Sequence, residues 1–90
     1  MPDAPYRILY NRSVEKDLRG LSVALRKAIV KKILALATDP LPAKITKLRG
    51  LTDLYRLRHS GYRIIYKFQK GQLYILIIKV GHRQKVYKEL

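Results

Sequence analysis

Three arginines, Arg56, Arg58 and Arg63, alternate with apolar and aromatic residues over the stretch Leu54-Tyr55-Arg56-Leu57-Arg58 and Gly61-Tyr62-Arg63-Ile64. A guanidinium group offers a planar fork of donors that matches two oxygens of a phosphate, and it holds its proton at any physiological pH. Side chains of this kind clamp a phosphodiester and neutralise charge that builds on it. They do not shuttle protons. Downstream, Val80-Gly81-His82-Arg83-Gln84-Lys85-Val86-Tyr87 adds a further arginine and two groups that do titrate. An imidazole changes charge near pH ~6.5, and a phenol near ~10 is lowered by surrounding positive charge. Either His82 or Tyr87 can therefore move a proton beside the arginines.

Other chemistries are poorly supplied. The chain has no cysteine, which removes thiolate nucleophiles, thiolate zinc sites and disulfide scaffolds together. Its six acids, Asp3, Glu15, Asp17, Asp39, Asp53 and Glu89, are scattered, and His59 and His82 are the only imidazoles, so no resident metal is expected. No phosphate-binding glycine loop or nucleophile motif is present, and no cofactor is expected.

The 90 residues carry 20 Lys and Arg against 6 Asp and Glu, a formal charge of +14. Such a field draws nucleic acid, anionic membrane or an acidic protein. Residues 46–90 hold eleven basic and two acidic groups, against nine and four in residues 1–45, so an anion is expected on the second half. With 48% hydrophobic residues the chain has the material for one folded domain over 1–90 and is not a disordered basic tail. The longest apolar run, Leu73 to Ile78, is far short of the ~20 residues that span a bilayer, and the first residues lack a secretory apolar stretch. The expected compartment is the cytoplasm.

The elements that must position these residues follow from periodicity and breaks. Tyr6 to Tyr10 predicts a strand. Ser13 is the expected cap of a short helix with Val14, Leu18 and Leu21 on its inner face. A second helix starts near Ser22, buries Leu25, Ala28, Ile29, Ile33, Leu36 and Ala37, and stops at Asp39-Pro40. After an irregular basic connection bearing Lys44, Lys47 and Arg49, strands are predicted over Leu54 to His59, Tyr62 to Phe68 and Gln72 to Val80. Ser60-Gly61 and Lys70-Gly71 suit two-residue hairpin turns.

Those turns set the registers: Arg58 opposite Arg63, His59 opposite Tyr62, and Tyr66 opposite Ile75. One face then gathers Tyr55, Leu57, Tyr62, Ile64, Tyr66, Phe68, Leu73, Ile75 and Ile77 for the core. The other gathers Arg56, Arg58 and Arg63, then Ile65, Lys67, Tyr74, Leu76, Ile78 and Val80. A three-residue first turn would instead split Arg58 and Arg63 between faces. The architecture expected is α+β: an N-terminal strand and two helices packed on one face of an antiparallel sheet, in the order β-α-α-β-β-β, with a short C-terminal turn or helix. Arg58 directly opposite Arg63 is repulsive, which an anion would relieve. Ile65, Leu76 and Ile78 form an apolar strip beside the basic patch, available to a protein partner provided the C-terminal tail leaves it open.

The chain resembles the toxins of the RelE/ParE superfamily through Ser13-Val14-Glu15-Lys16-Asp17-Leu18, Lys47-Leu48-Arg49-Gly50, Leu54-Tyr55-Arg56-Leu57-Arg58, Gly61-Tyr62-Arg63-Ile64-Ile65-Tyr66, Val80-Gly81-His82-Arg83 and Val86-Tyr87. The RelE-like branch of that superfamily cleaves mRNA on the ribosome. The resemblance implies a catalytic set of Arg58, Arg63, Arg83 and Tyr87, with Arg56, Lys47, Arg49, His82 and Lys85 holding RNA. Family members often carry lysines where this chain has Arg56 and Arg58, which makes these two phosphate clamps here. The implied reaction is attack of a ribose 2′-OH on the adjacent phosphorus, leaving a 2′,3′-cyclic phosphate and a 5′-OH, with no metal. Tyr87 is the implied base, Arg83 stabilises the leaving oxygen, and His82 is the rival proton donor. The resemblance also implies a cognate antitoxin that binds and blocks the toxin in a hetero-oligomer, and the apolar strip of Ile65, Leu76 and Ile78 is where the sheet pattern expects it to dock. Two other functions stay open: a ParE-like inhibitor of DNA gyrase, and a non-catalytic basic module binding RNA or DNA.

Overall fold

The structure, a computed structural model, describes residues 6–43, 45–48, 50 and 52–82. Its elements are β1 (Arg7–Tyr10), α1 (Arg12–Arg19), α2 (Val23–Ala35), β2 (Thr46–Lys47), β3 (Leu54–His59), β4 (Tyr62–Lys67) and β5 (Tyr74–His82). The strands form one five-stranded sheet in the order β1-β5-β4-β3-β2. Both helices pack on one face, so the α+β expectation holds. The sheet is mixed rather than antiparallel. β1 runs parallel to β5, Arg7 beside Tyr74 and Tyr10 beside Ile77, because the chain crosses over through both helices before it returns. The basic connection also yields a short edge strand, β2, that its sequence does not announce.

Helix α1 starts earlier than Ser13. Its cap is Asn11, whose backbone N–H donates to the Ile77 carbonyl at 2.9 Å, so the helix begins where the parallel ladder ends. Helix α2 starts as expected, with the Ser22 hydroxyl accepting from the Leu25 N–H at 3.2 Å. Its inner face supplies Ile29 and Ile33, and the turn that follows supplies Leu36 and Ala37, to a core shared with Val14, Ile64, Tyr66, Phe68, Ile75, Ile77 and Val80.

The two hairpins differ, and turn chemistry explains why. Ser60 and Gly61 both take positive φ, 45° and 77°, the arrangement whose twist matches the flanking strands. Pairing therefore starts at the turn, with His59 opposite Tyr62 and Arg58 opposite Arg63. In the second hairpin the Gln72 N–H closes the turn on the Gln69 carbonyl at 3.0 Å, but only Gly71 has positive φ. That is a type II arrangement, which splays the strands. The ladder resumes two residues out, so Tyr66 pairs with Ile77 rather than Ile75, and Leu73 is 74% exposed instead of buried.

A second correction lies further along β5. Tyr66 faces Ile77 and Ile65 faces Lys79, which leaves Ile78 as the extra residue of a β-bulge. Beyond the bulge the alternation is reversed. Val80, expected on the open face, is 1% exposed in the core. The expected C-terminal turn or helix lies outside the described residues.

Candidate functional site

The arginine site is built on β3 and β4. Side chains of residues paired across a sheet share a face, so the observed Arg58–Arg63 pair puts two guanidinium groups side by side, with Arg56 one pleat further along β3. The three arginines are brought together as the sequence predicts. They lie opposite the helical layer, since Tyr55, Leu57 and Tyr62 on the alternate face pack against the core. No Asp or Glu occurs on any of the five strands.

Arg63 occupies the centre. Its partner on the other side is Gly81, which has no side chain. One terminal nitrogen, Nη1, donates to the Tyr62 carbonyl at 3.3 Å, while the buried Nε meets no hydrogen-bond acceptor among the described residues. A half-buried cation with donors left over is poised for an anionic acceptor. Arg58 is exposed, Arg56 half-buried. The Arg58 carbonyl accepts from the Lys32 ammonium of α2 at 2.9 Å, a contact between helix and site strand that the sequence reading missed. No periodicity reveals it, because it depends on β2 ending at Thr46 and leaving that carbonyl without a strand partner.

Three expected site residues are placed differently. His82 pairs with Tyr62, edge to face at 5.7 Å between ring centroids, and therefore shares the face opposite Arg63. The bulge at Ile78 is the cause. Lys47 pairs with Tyr55 and begins on that same opposite face, while its neighbour Thr46 lies beside Arg56. Ile65 has no exposed surface, so it offers nothing to a partner; Leu76 and Ile78 are half-buried. What the sheet does leave open at that end is Leu9, 42% exposed beside Leu76, and Tyr74. Arg49, Arg83, Lys85 and Tyr87 lie outside the described residues.

Behind the arginines the sheet is pinned to the helices. Asp17 of α1 accepts from the Lys79 ammonium and from the Val80 backbone N–H, both at 3.3 Å, just where β1 has ended and β5 would otherwise present a bare edge. Tyr66 donates its phenol proton to the Pro40 carbonyl in the turn after α2. Burial first, then charge at Tyr55 and Asp39, raises the Tyr66 pKa above its ordinary 10.0, and burial alone raises that of Tyr10. Neither phenol is a proton acceptor for a reaction near neutrality. Among the described residues no group of three or more His, Asp or Glu is placed to share a cation, and no helix is long and apolar enough to cross a membrane.

Residues 5–87 match the family described as ParE toxin of the type II toxin–antitoxin system. The chain is 32% identical over 88 residues to the mRNA interferase toxin RelE of Escherichia coli K12, covering 93% of this chain and 92% of that protein. It is 29% identical to a putative RelE toxin of Methanocaldococcus jannaschii, over 92% of this chain and 96% of that one. Among solved structures it is similar to the archaeal RelE–RelB complex of Pyrococcus horikoshii, with a TM-score of 0.78, 30% identity and coverage of 90% and 98%. The isolated E. coli RelE toxin superposes with a TM-score of 0.75 at 30% identity over 93% of each chain. With near-complete coverage on both sides, and with the paired arginines on the sheet face, the chain belongs to the RelE/ParE superfamily of type II toxin–antitoxin toxins, on its RelE-like branch.

Proposed function

We propose that this toxin is a metal-independent endoribonuclease that cuts mRNA on the ribosome and thereby stops translation. The observation that carries the reading is the direct pairing of Arg58 with Arg63 on the sheet face away from the helices, with the Arg63 donors incompletely used and a glycine opposite. Two like charges side by side cost several tenths of a kcal/mol, ~0.2–1, unless an anion sits between them. A phosphodiester passing into a pentacoordinate dianion is such an anion, and it is more negative in the transition state than in the ground state. Clamps of this kind therefore bind the transition state harder, which is what accelerates the step.

In the reaction, the 2′-oxygen loses its proton and bonds to phosphorus, the bond from phosphorus to the 5′-oxygen breaks, and the leaving oxygen gains a proton. Atoms balance without a cofactor. Arg58 and Arg63 hold the non-bridging oxygens and Arg56 positions the backbone. Arg83 and Tyr87 are proposed for the leaving oxygen and the 2′-proton; His82, facing away with Tyr62, is the weaker candidate for that proton. Lacking a strong acid–base pair on the described strands, the site gains from a scaffold that aligns the 2′-oxygen with the leaving group, and the ribosome supplies one.

The partner that controls such an enzyme is proposed to be a cognate antitoxin protein, since E. coli RelE and its archaeal counterpart are both solved as complexes with RelB. The test is translation of a defined mRNA with purified protein and mapping of the cut ends. The wild-type protein is expected to give cuts ending in 2′,3′-cyclic phosphate, and Arg63→Ala to reduce cutting at least ~100-fold while keeping its thermal midpoint. Toxicity that survives in folded Arg63→Ala would sink the ribonuclease reading and leave the gyrase inhibitor.

A further inference from the structure

Where α2 crosses the end of the sheet, a cleft of about 400 Å³ opens between Lys32, Thr46, Leu57 and Arg58. Its volume falls within the ~300–1,000 Å³ of small-ligand sites. Among the described residues that line it, the charged ones, Lys32 and Arg58, are both cationic, Thr46 carries a hydroxyl, and Leu57 forms an apolar wall. The cleft exists because β2 stops at Thr46, opposite Arg56, while β3 continues to His59. The uncovered side of β3 is then closed by Lys32, whose ammonium donates to the Arg58 carbonyl at 2.9 Å.

An ammonium has three protons to donate, and that carbonyl takes one. Lys32 is otherwise a long, exposed and flexible side chain, so the bond to Arg58 spends in advance the rotamer freedom that binding would cost. Arg58 thus serves two sites: its side chain stands on the arginine face beside Arg63, and its carbonyl anchors a second cation around the sheet edge. On the far side of Lys32 a smaller apolar slot is lined by Ala35, Leu36, Pro42, Leu57 and Asp39. The acid there biases an anion toward the Arg58 side.

We propose that this cleft is a second phosphate subsite, in which Lys32 and Thr46 take a backbone phosphate of the RNA next to the one gripped by Arg58 on the arginine face. The inference rests on the reading that the arginine face holds RNA, and it goes beyond that reading by extending the track over the sheet edge to α2.

The test uses a short single-stranded 2′-O-methyl RNA, which the wild-type protein is expected to bind and cannot cut because the attacking hydroxyl is blocked. Lys32→Met is expected to weaken binding about tenfold at low salt and to flatten the slope of log affinity against log salt by ~0.7, the share of one phosphate contact on a single strand; Lys32→Arg restores both. A role confined to capping the Arg58 carbonyl would lower the thermal midpoint of Lys32→Met and leave the salt slope unchanged, and that result overturns the proposal. Should Lys32→Met fail to fold, the same question is put to the native protein: the oligonucleotide is expected to protect Lys32 from an amine-acetylating reagent, and full reactivity in its presence overturns the subsite. Ribosomal cutting is scored separately. A changed slope without any cutting would defeat the nuclease and leave the subsite standing, whereas cutting with an unchanged slope would do the reverse.

Discussion

Tyr66 is the largest fully buried side chain of the core, and its phenol proton is committed to the Pro40 carbonyl. Its raised pKa makes the folded state hold that proton more tightly than the unfolded chain does. The contribution to stability is therefore complete below the unfolded value near 10 and is lost as pH climbs past it toward the raised value. Unfolding by urea measured from pH 8 to 11 is expected to show a falling stability that steepens above pH 10, and Tyr66→Phe to flatten that decline while lowering stability at pH 8 through the lost hydrogen bond, by about 1 kcal/mol. A decline of the same steepness in the variant would assign the alkaline limb elsewhere. At this scale the arginines were readable from sequence, because alternation and a Ser-Gly turn are local signals. The contributions of Lys32 and Gly81 were not, since each depends on which backbone lies across from it.

Element by element, legibility followed how local the determining interaction is. β3, β4 and the turn between them follow from two residues at the turn, and helix α2 from its serine cap and its apolar spacing. The second hairpin misled because Lys70 does not take the left-handed conformation that Ser60 takes, and no residue name distinguishes the two turns in advance. The bulge at Ile78 is set by packing. It carries Val80 into the core and lets the β5 backbone meet Asp17 of α1. That contact carries a prediction of its own. Asp17→Ala removes the acceptor of both the Lys79 ammonium and the Val80 N–H, side chains only 13% and 20% exposed in the Lys79–Asp17 pair. A loss of about 1–2 kcal/mol in urea unfolding is expected, with partial recovery in Asp17→Asn, which keeps an oxygen for the backbone donor. Equal losses in the two variants would place the effect in charge alone.

Across the whole molecule, a formal +14 on 90 residues makes the folded state repel itself. Raising salt from about 0.02 to 0.3 M shortens the screening length severalfold and is expected to raise the thermal midpoint of the isolated protein by several degrees, while steeply weakening the RNA binding proposed for it. A midpoint indifferent to salt would mean that the charges are spaced widely enough to ignore one another. Size and charge were plain in the sequence; the parallel placement of β1 against β5 was not, because that pairing joins residues as far apart as Arg7 and Tyr74. It has a kinetic consequence. The hairpin that displays Arg58 and Arg63 closes between near neighbours, but β5, the strand that joins β1 to the rest of the sheet, is synthesised late, and β1 must wait unpaired until it emerges. A nascent chain of this protein therefore cannot close its five-stranded sheet until β5 has left the exit tunnel, and β1 spends most of synthesis as an unpaired strand.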